Sequence, residues 1–274
     1  MEKLRKALLL ASADREKNNL EFRAESIPHL ARAASQSKNS QASDLKKIEY
    51  NETKIVALDP SHLEKHRVLS GSETQEVAQA YKMLRTQVLH KLKLNEWNSL
   101  ALVSPRSGNG KSLTAVNLAL SLSQEVKHTV LLVDLDLKKP SLHHYLGINL
   151  NLGITDYLLR DEPVSNILIN PGVERLVFLG GTESLEHSSE ALGAPKLIRL
   201  VEEIIQRYPN RIIIFDLPPI LLSDDAVVFS PYVDAMLMVV EEGKTTAEEL
   251  ERCAELLNGK PLLGSVLNKG LNHV

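Results

Sequence analysis

Short apolar runs rich in Val, Ile and Leu recur along most of this chain, and each is followed by a stretch with helical spacing. Strands are expected near Leu100–Val103, Val130–Val133, Leu176–Leu179, Ile212–Phe215, Ala235–Val240 and Leu262–Leu267. Helices are expected near Gln75–Leu92, Lys111–Glu125, Pro195–Tyr208 and Ala247–Leu257. Such alternation predicts an α/β fold whose mostly parallel sheet is covered by helices on both faces. The chain ahead of this core reads differently. Leu4, Ala7, Leu8 and Ala11 form one stripe among Lys and Arg, which predicts an amphipathic helix over residues 1–18. A helix this short is marginal alone and needs a surface, either its own domain or a membrane partner. Residues 19–54 are polar and aperiodic, as in Gln36-Ser37-Lys38-Asn39-Ser40, and read as a flexible linker. Ile55 to Leu69 is transitional, with Asp59-Pro60-Ser61-His62 predicting a turn that starts a short helix. The expected organisation is a helix over 1–18, linker and transition over 19–70, and the α/β domain over 71–274.

Chemistry enters at Ser104-Pro105-Arg106-Ser107-Gly108-Asn109-Gly110-Lys111-Ser112, between an expected strand and an expected helix. Gly108 and Gly110 let backbone N–H groups close around an anion, the helix N-terminus adds its dipole, Lys111 can reach terminal phosphates and Ser112 can ligate Mg²⁺. Pro105 stands where the strict phosphate-loop pattern wants glycine, so a plain strand-to-helix turn is the competing reading. Two further strands end in acidic residues, Asp134-Leu135-Asp136-Leu137-Lys138-Lys139-Pro140 and Asp216-Leu217-Pro218-Pro219. An Asp after a strand is often only a helix cap, but three such ends in order suit phosphoryl transfer, which needs positioned cations and carboxylates.

These three motifs resemble the Walker A, Walker A′ and Walker B motifs of bacterial tyrosine kinases of capsule and exopolysaccharide export, which have a MinD/ParA-like P-loop NTPase fold. The resemblance runs from about Glu73 to Lys269. It includes Ala80-Tyr81-Lys82-Met83-Leu84-Arg85-Thr86, Ser223-Asp224-Asp225-Ala226 and Gly264-Ser265-Val266-Leu267-Asn268. Among subfamilies the chain is most similar to exosortase-associated tyrosine autokinases. The resemblance implies ATP and Mg²⁺ as cofactors, with Gly108, Asn109, Gly110, Lys111, Ser112, Leu113 and Asn268 around the nucleotide. It implies Lys111, Asp134, Asp136 and Asp216 as catalytic residues and Ser112, Asp134 and Asp216 as metal neighbours, with Asp134 the candidate for deprotonating the acceptor tyrosine. Asn268 would read adenine, its alternative being an ordinary turn residue. Arg106 falls where MinD-like ATPases carry a lysine that reaches the partner subunit's nucleotide, and an exposed loop arginine is the other reading. The implied partners are further copies of the chain and an inner-membrane polysaccharide co-polymerase or chain-length protein, which would hold a cytoplasmic enzyme at the cell membrane.

Two features depart from that family. The C-terminal stretch Asn268-Lys269-Gly270-Leu271-Asn272-His273-Val274 has no tyrosine cluster; the six tyrosines are scattered, so the acceptor is expected elsewhere in the chain or on another protein. The family's ring-forming Glu-x-x-Arg-x-x-Arg helix reads Gln79-x-x-Lys82-x-x-Arg85 here, without its carboxylate. A MinD/ParA-like switch ATPase without kinase activity is therefore the alternative function. Composition narrows the rest: a net charge of −3 with no basic arm argues against nucleic acid, and no apolar run nears the ~20 residues a membrane helix needs. Cys253 is the sole cysteine and fits a structural thiol, while His128, His143 and His144 lack metal-ligand spacing with it.

Overall fold

The computed structural model describes residues 53–270 apart from residue 209. The helix expected over 1–18 and the linker up to residue 52 lie outside the described residues. The strands are β1 (Lys54–Ile55), β2 (Ser99–Val103), β3 (Thr129–Asp134), β4 (Leu168–Asn170), β5 (Leu176–Leu179), β6 (Arg211–Asp216), β7 (Ala235–Glu241) and β8 (Leu262–Asn268). The helices are α1 (Pro60–Lys65), α2 (Gln75–Leu94), α3 (Lys111–Ser123), α4 (Leu142–Leu146), α5 (Ile154–Arg160), α6 (Val164–Ile167), α7 (Ser188–Leu192), α8 (Pro195–Arg207), α9 (Asp225–Phe229) and α10 (Ala247–Leu257).

The strands form one sheet in the order β1-β4-β5-β3-β6-β2-β7-β8, parallel except where β4 meets β5. Period-two alternation sorts the strand side chains between two cores. Leu100, Leu102, Leu132, Ile214 and Leu237 pack under α1 to α4, whereas Ala101, Val103, Leu131, Phe215 and Met238 pack under α8, α9 and α10. On α8 the stripe Leu197, Leu200, Val201 and Ile204 is buried at helical spacing, so this surface helix is held by one apolar face. Cys253 of α10 is buried in the same core, and burial pushes its thiol up to about 11.

Within the described residues, every strand and helix expected of the α/β core is present, with ends shifted by no more than two residues. The additional elements are short. β1, β4 and α4 to α7 carry too few residues to display a period. Residues 54–70, assigned from sequence to the linker and transition, join the domain: β1 pairs with β4, and Leu63 and Val68 are buried in the core. Asp59 caps α1 by accepting from Ser61 N at 3.0 Å, and His62 Nε2 lies 2.7 Å from the His144 carbonyl. Asn117 of α3 clamps the chain just beyond α1, accepting from Leu69 N and donating to the Arg67 carbonyl.

Because β2, β3 and β6 are parallel, their C-terminal ends share one edge of the sheet. Asp134 and Asp216 are direct register partners, and Leu102 lies on the other side of Asp216. All three motifs therefore meet at the strand ends where open α/β sheets bind ligands.

Candidate active site

The loop from Ser104 to Gly110 joins β2 to α3 with Gly108 at φ +85° and Gly110 at φ +90°, a region that costs other residues about 1–2 kcal/mol. Arg106 N donates to Asn109 Oδ1 at 2.9 Å, and Thr114 Oγ1 donates to the Gly110 carbonyl at 2.9 Å, so side chains brace both ends of the loop. Pro105 fits because its backbone has no positive φ and its carbonyl accepts from Leu221 N at 3.2 Å. A Cβ on Gly110 would overlap the Asn268 amide, whose Nδ2 donates to the Asn109 carbonyl at 2.8 Å. Asn268 thus braces the phosphate loop in this conformation. Gly110→Ala is expected to weaken nucleotide affinity more than tenfold while leaving the circular dichroism of the sheet intact; unchanged affinity by titration calorimetry would remove the loop from the binding site.

Lys111 opens α3 and is buried. Its Nζ donates to Asp216 Oδ1 at 2.7 Å and to Ser112 Oγ at 3.2 Å, and lies 3.7 Å from Asp136 Oδ2. Ser112 Oγ donates to Asp216 Oδ2 at 2.7 Å. Asp216 therefore gathers the lysine and the hydroxyl of the loop onto one fully buried carboxylate. Asp136 is more accessible at 9% exposure, and burial raises its pKa against the opposing pull of Lys111.

Asp134 is placed differently from its expected role. It is fully buried, and its Oδ2 accepts from Ser141 N and Leu142 N at 2.9 Å each, tying down the start of α4. Desolvation, and then the neighbouring Asp216 charge, raise its pKa to about 7. A carboxylate without exposed surface whose outer oxygen is spent on two amides is poorly placed to meet an incoming phenol. The shift has a consequence for stability. Above the unfolded value of 3.8, the native state holds this proton more tightly than the unfolded chain, so stability falls as pH rises toward about 7 and is level beyond it. In EDTA without nucleotide, Asp134→Asn is expected to raise the melting temperature relative to wild type at pH 8 and to lose that advantage at pH 5. An equal difference at both pH values would show Asp134 ionised throughout.

Several site residues escaped the sequence reading. Glu241 ends β7 as Asp134 and Asp216 end their strands, and the same rule would have found it. Its buried carboxylate pairs with Lys244 Nζ at 2.6 Å and Lys269 Nζ at 3.2 Å, the lysines holding its pKa down, and Asn109 Nδ2 lies 3.5 Å away. These groups and Thr245 line a hollow of about 170 Å³ beside the loop, where Arg106 pairs with Glu249. Asp225 was visible only as part of a landmark. Fully buried, it accepts from Ser188 Oγ at 2.5 Å and from Ser223 Oγ, and draws Lys138 Nζ to 3.6 Å. Leu221 and Leu222 form an apolar ledge at the loop's mouth, Leu222 being 64% exposed.

The domain that carries these groups is similar to known proteins. Residues 100–270 match the CobQ/CobB/MinD/ParA nucleotide binding domain. The chain belongs to that family. Among its relatives, the Bacillus subtilis tyrosine-protein kinase YwqD is 30% identical over 193 residues, covering 70% of this chain and 80% of its own. The Streptococcus agalactiae tyrosine-protein kinase CpsD is 28% identical over 200 residues, covering 72% and 85% respectively. The crystal structure of the chimerical protein CapA2B2 superposes with a TM-score of 0.67 at 25% identity, over 79% of this chain and 93% of that one. Family members and structure thus agree on a mostly parallel P-loop nucleotide-binding fold.

Proposed function

We propose that this chain is an ATP- and Mg²⁺-dependent protein tyrosine kinase of the bacterial type, regulating exopolysaccharide or capsule polymerisation and export. The convergence of Lys111, Ser112 and Asp216 carries the reading, set beside Asp136 in a family whose members include tyrosine-protein kinases. The donor set suits a hard divalent cation. Ser112 Oγ and Asp216 are oxygen ligands, and among the described residues no group of three or more Asp, Glu, His or Cys forms a metal cage. Mg²⁺ typically takes one or two protein oxygens and completes its shell with phosphates and water, so Ser112 and Asp216 would hold it jointly with the nucleotide. When bound it supplies charge neutralisation at the transferring phosphoryl.

The chain's own groups divide the remaining work. Amides of Gly108 to Leu113 and the α3 N-terminus bind phosphate oxygens, and Lys111 exchanges part of its contact with Asp216 for the terminal phosphates. Asp136 orients the acceptor hydroxyl and takes its proton, a role that passes to it from Asp134 because Asp136 keeps some exposed surface where Asp134 keeps none. Asp134 keeps the Walker A′ turn in place. Asn268 serves the base side of the site through the loop it braces. Phosphoryl transfer needs little else from a protein.

The same reading places the enzyme in the cytoplasm as a homo-oligomer, brought to the cell membrane by an inner-membrane co-polymerase or chain-length protein. Among the described residues no helix is long and apolar enough to cross a membrane. Arg85 is engaged within the chain, donating to the Ser121 carbonyl at 2.9 Å and pairing with Glu125, so assembly would use other contacts than a Glu-to-Arg85 pair. The deciding assay tracks labelled γ-phosphate into a Glu/Tyr copolymer with Mg²⁺. Phosphotyrosine is expected, whereas ADP without phosphotyrosine under every condition would overturn the kinase reading in favour of a switch ATPase.

A further inference from the structure

Asp136 and the apolar ledge at the mouth of the loop stand on two segments that the fold ties together. Asp136 belongs to the turn after β3, and Leu221 and Leu222 to the loop after β6. Lys138, two residues past Asp136, donates from Nζ to Ser223 Oγ at 3.1 Å, and Ser223 directly follows Leu222. The tie is anchored by Asp225, fully buried in the first turn of α9. Its Oδ1 accepts from Ser223 Oγ and lies 3.6 Å from Lys138 Nζ, while its Oδ2 accepts from Ser188 Oγ. Nucleotide binding gives this carboxylate no task. What it does in the fold is fix a lysine whose side chain keeps 42% of its surface exposed.

The ledge is fixed from its other side as well. Ile220 N donates to the Ser104 carbonyl at 2.9 Å and Leu221 N to the Pro105 carbonyl at 3.2 Å, so it hangs on the start of the phosphate loop. Leu221 packs against the core, and Leu222 is held out from it. A lone exposed leucine is ordinary. This one borders a hollow of about 460 Å³ that it shares with Leu221, Arg106 and Ser107, a size typical of ligand pockets, and apolar surface at such a place marks a contact. Asp136 keeps little exposed surface, so an acceptor hydroxyl must arrive on a side chain long enough to reach it and flat enough to lie along an apolar wall. A phenol meets both conditions. Charge adds a further preference: in residues 134–140 and 217–225 the exposed charged side chains are Lys138, Lys139 and Asp224, two cations to one anion. Lys138 spends one N–H on Ser223 and has donors left for a carboxylate at the surface.

We propose that Leu222 and Lys138 form the acceptor subsite, Leu222 taking the ring of an incoming tyrosine and Lys138, with Lys139 beside it, taking a carboxylate next to that tyrosine in sequence. This rests on the kinase reading and names its substrate class, a tyrosine flanked by acidic residues. Leu222 contacts any tyrosine and sets affinity. Lys138 sets the preference among tyrosines, and because it is already fixed, little side-chain freedom is lost when the carboxylate arrives. Asp225 is a positioning residue that acts through Lys138.

The test measures transfer from ATP with Mg²⁺ to single-tyrosine peptides that differ only in their flanking residues, Glu, Gln or Lys. For the wild type kcat/KM is expected to be about tenfold higher with Glu flanks than with Gln flanks, and lowest with Lys flanks. Lys138→Gln should bring the Glu-to-Gln ratio close to one. Asp225→Asn keeps the shape but loosens Lys138, and should lower the same ratio, a readout that lost stability alone does not move. Leu222→Ser, at an exposed position, should raise the peptide KM about fivefold for every peptide with a smaller change in kcat. Equal kcat/KM on all peptides, a preference that survives Lys138→Gln, or a peptide KM unmoved by Leu222→Ser would overturn the proposal and leave the kinase reading standing. A ratio unmoved by Asp225→Asn would take Asp225 out of the subsite. ADP release without phosphotyrosine on any peptide would overturn both readings.

Discussion

Lys111→Ala is expected to lower phosphoryl transfer by about a hundredfold. Its ammonium is buried against Asp216 at the strand ends, and removing a preorganised charge from a transferring phosphoryl costs on the order of 3 kcal/mol. The substitution has a second effect in the resting protein. Asp216 loses the partner at 2.7 Å, and a buried carboxylate left without its cation destabilises the fold. A lower melting temperature is therefore expected together with the lost activity, and turnover is to be read well below it. A folded Lys111→Ala protein with wild-type turnover would remove Lys111 from the site.

Asp216→Asn should act on the metal. The amide keeps the shape, so Ser112 and Lys111 retain a neighbour, but the charge that favours Mg²⁺ is gone. Turnover is expected to fall more than tenfold and to need more Mg²⁺, while nucleotide affinity in EDTA changes little or improves, because Lys111 is released from its ion pair. Calorimetric titrations with and without Mg²⁺ separate the two. Equal weakening in both would make Asp216 a structural support for the loop, and unchanged Mg²⁺ dependence would take it out of the metal site.

What periodicity could reveal, it revealed. Ile212 to Phe215 and Ala235 to Val240 are long apolar runs buried on both faces, and α8 carries a full helical stripe. β1 and β4, at two and three residues, are too short to show a period, and β1 finds its partner β4 more than a hundred residues away. That is why Lys54 read as the end of a linker and residues 55–69 only as a transition. In the site, Lys111, Ser112 and Asp216 were legible because a phosphate loop and a strand-end acid carry local signatures. The different settings of Asp134 and Asp136, on which the proposed division of labour rests, were not. They depend on which carboxylate the backbone of Ser141 and Leu142 captures, and spacing alone says nothing of that. Asn268 shows the same limit: an amide after a strand suggests a base reader, and only the folded loop reveals its hold on Asn109.

The environment of Cys253 makes the domain chemically quiet. With its thiol raised to about 11 by burial and enclosed by α10 and the sheet, Cys253 stays protonated at neutral pH. Peroxide and alkylating agents then find little to react with, so phosphoryl transfer should run at the same rate under oxidising and reducing conditions. The same quietness makes the chain a clean background for a reporter: Leu222→Cys, at the exposed mouth of the loop, would take up a maleimide fluorophore there in preference to Cys253 and register the arrival of an acceptor as a change in emission.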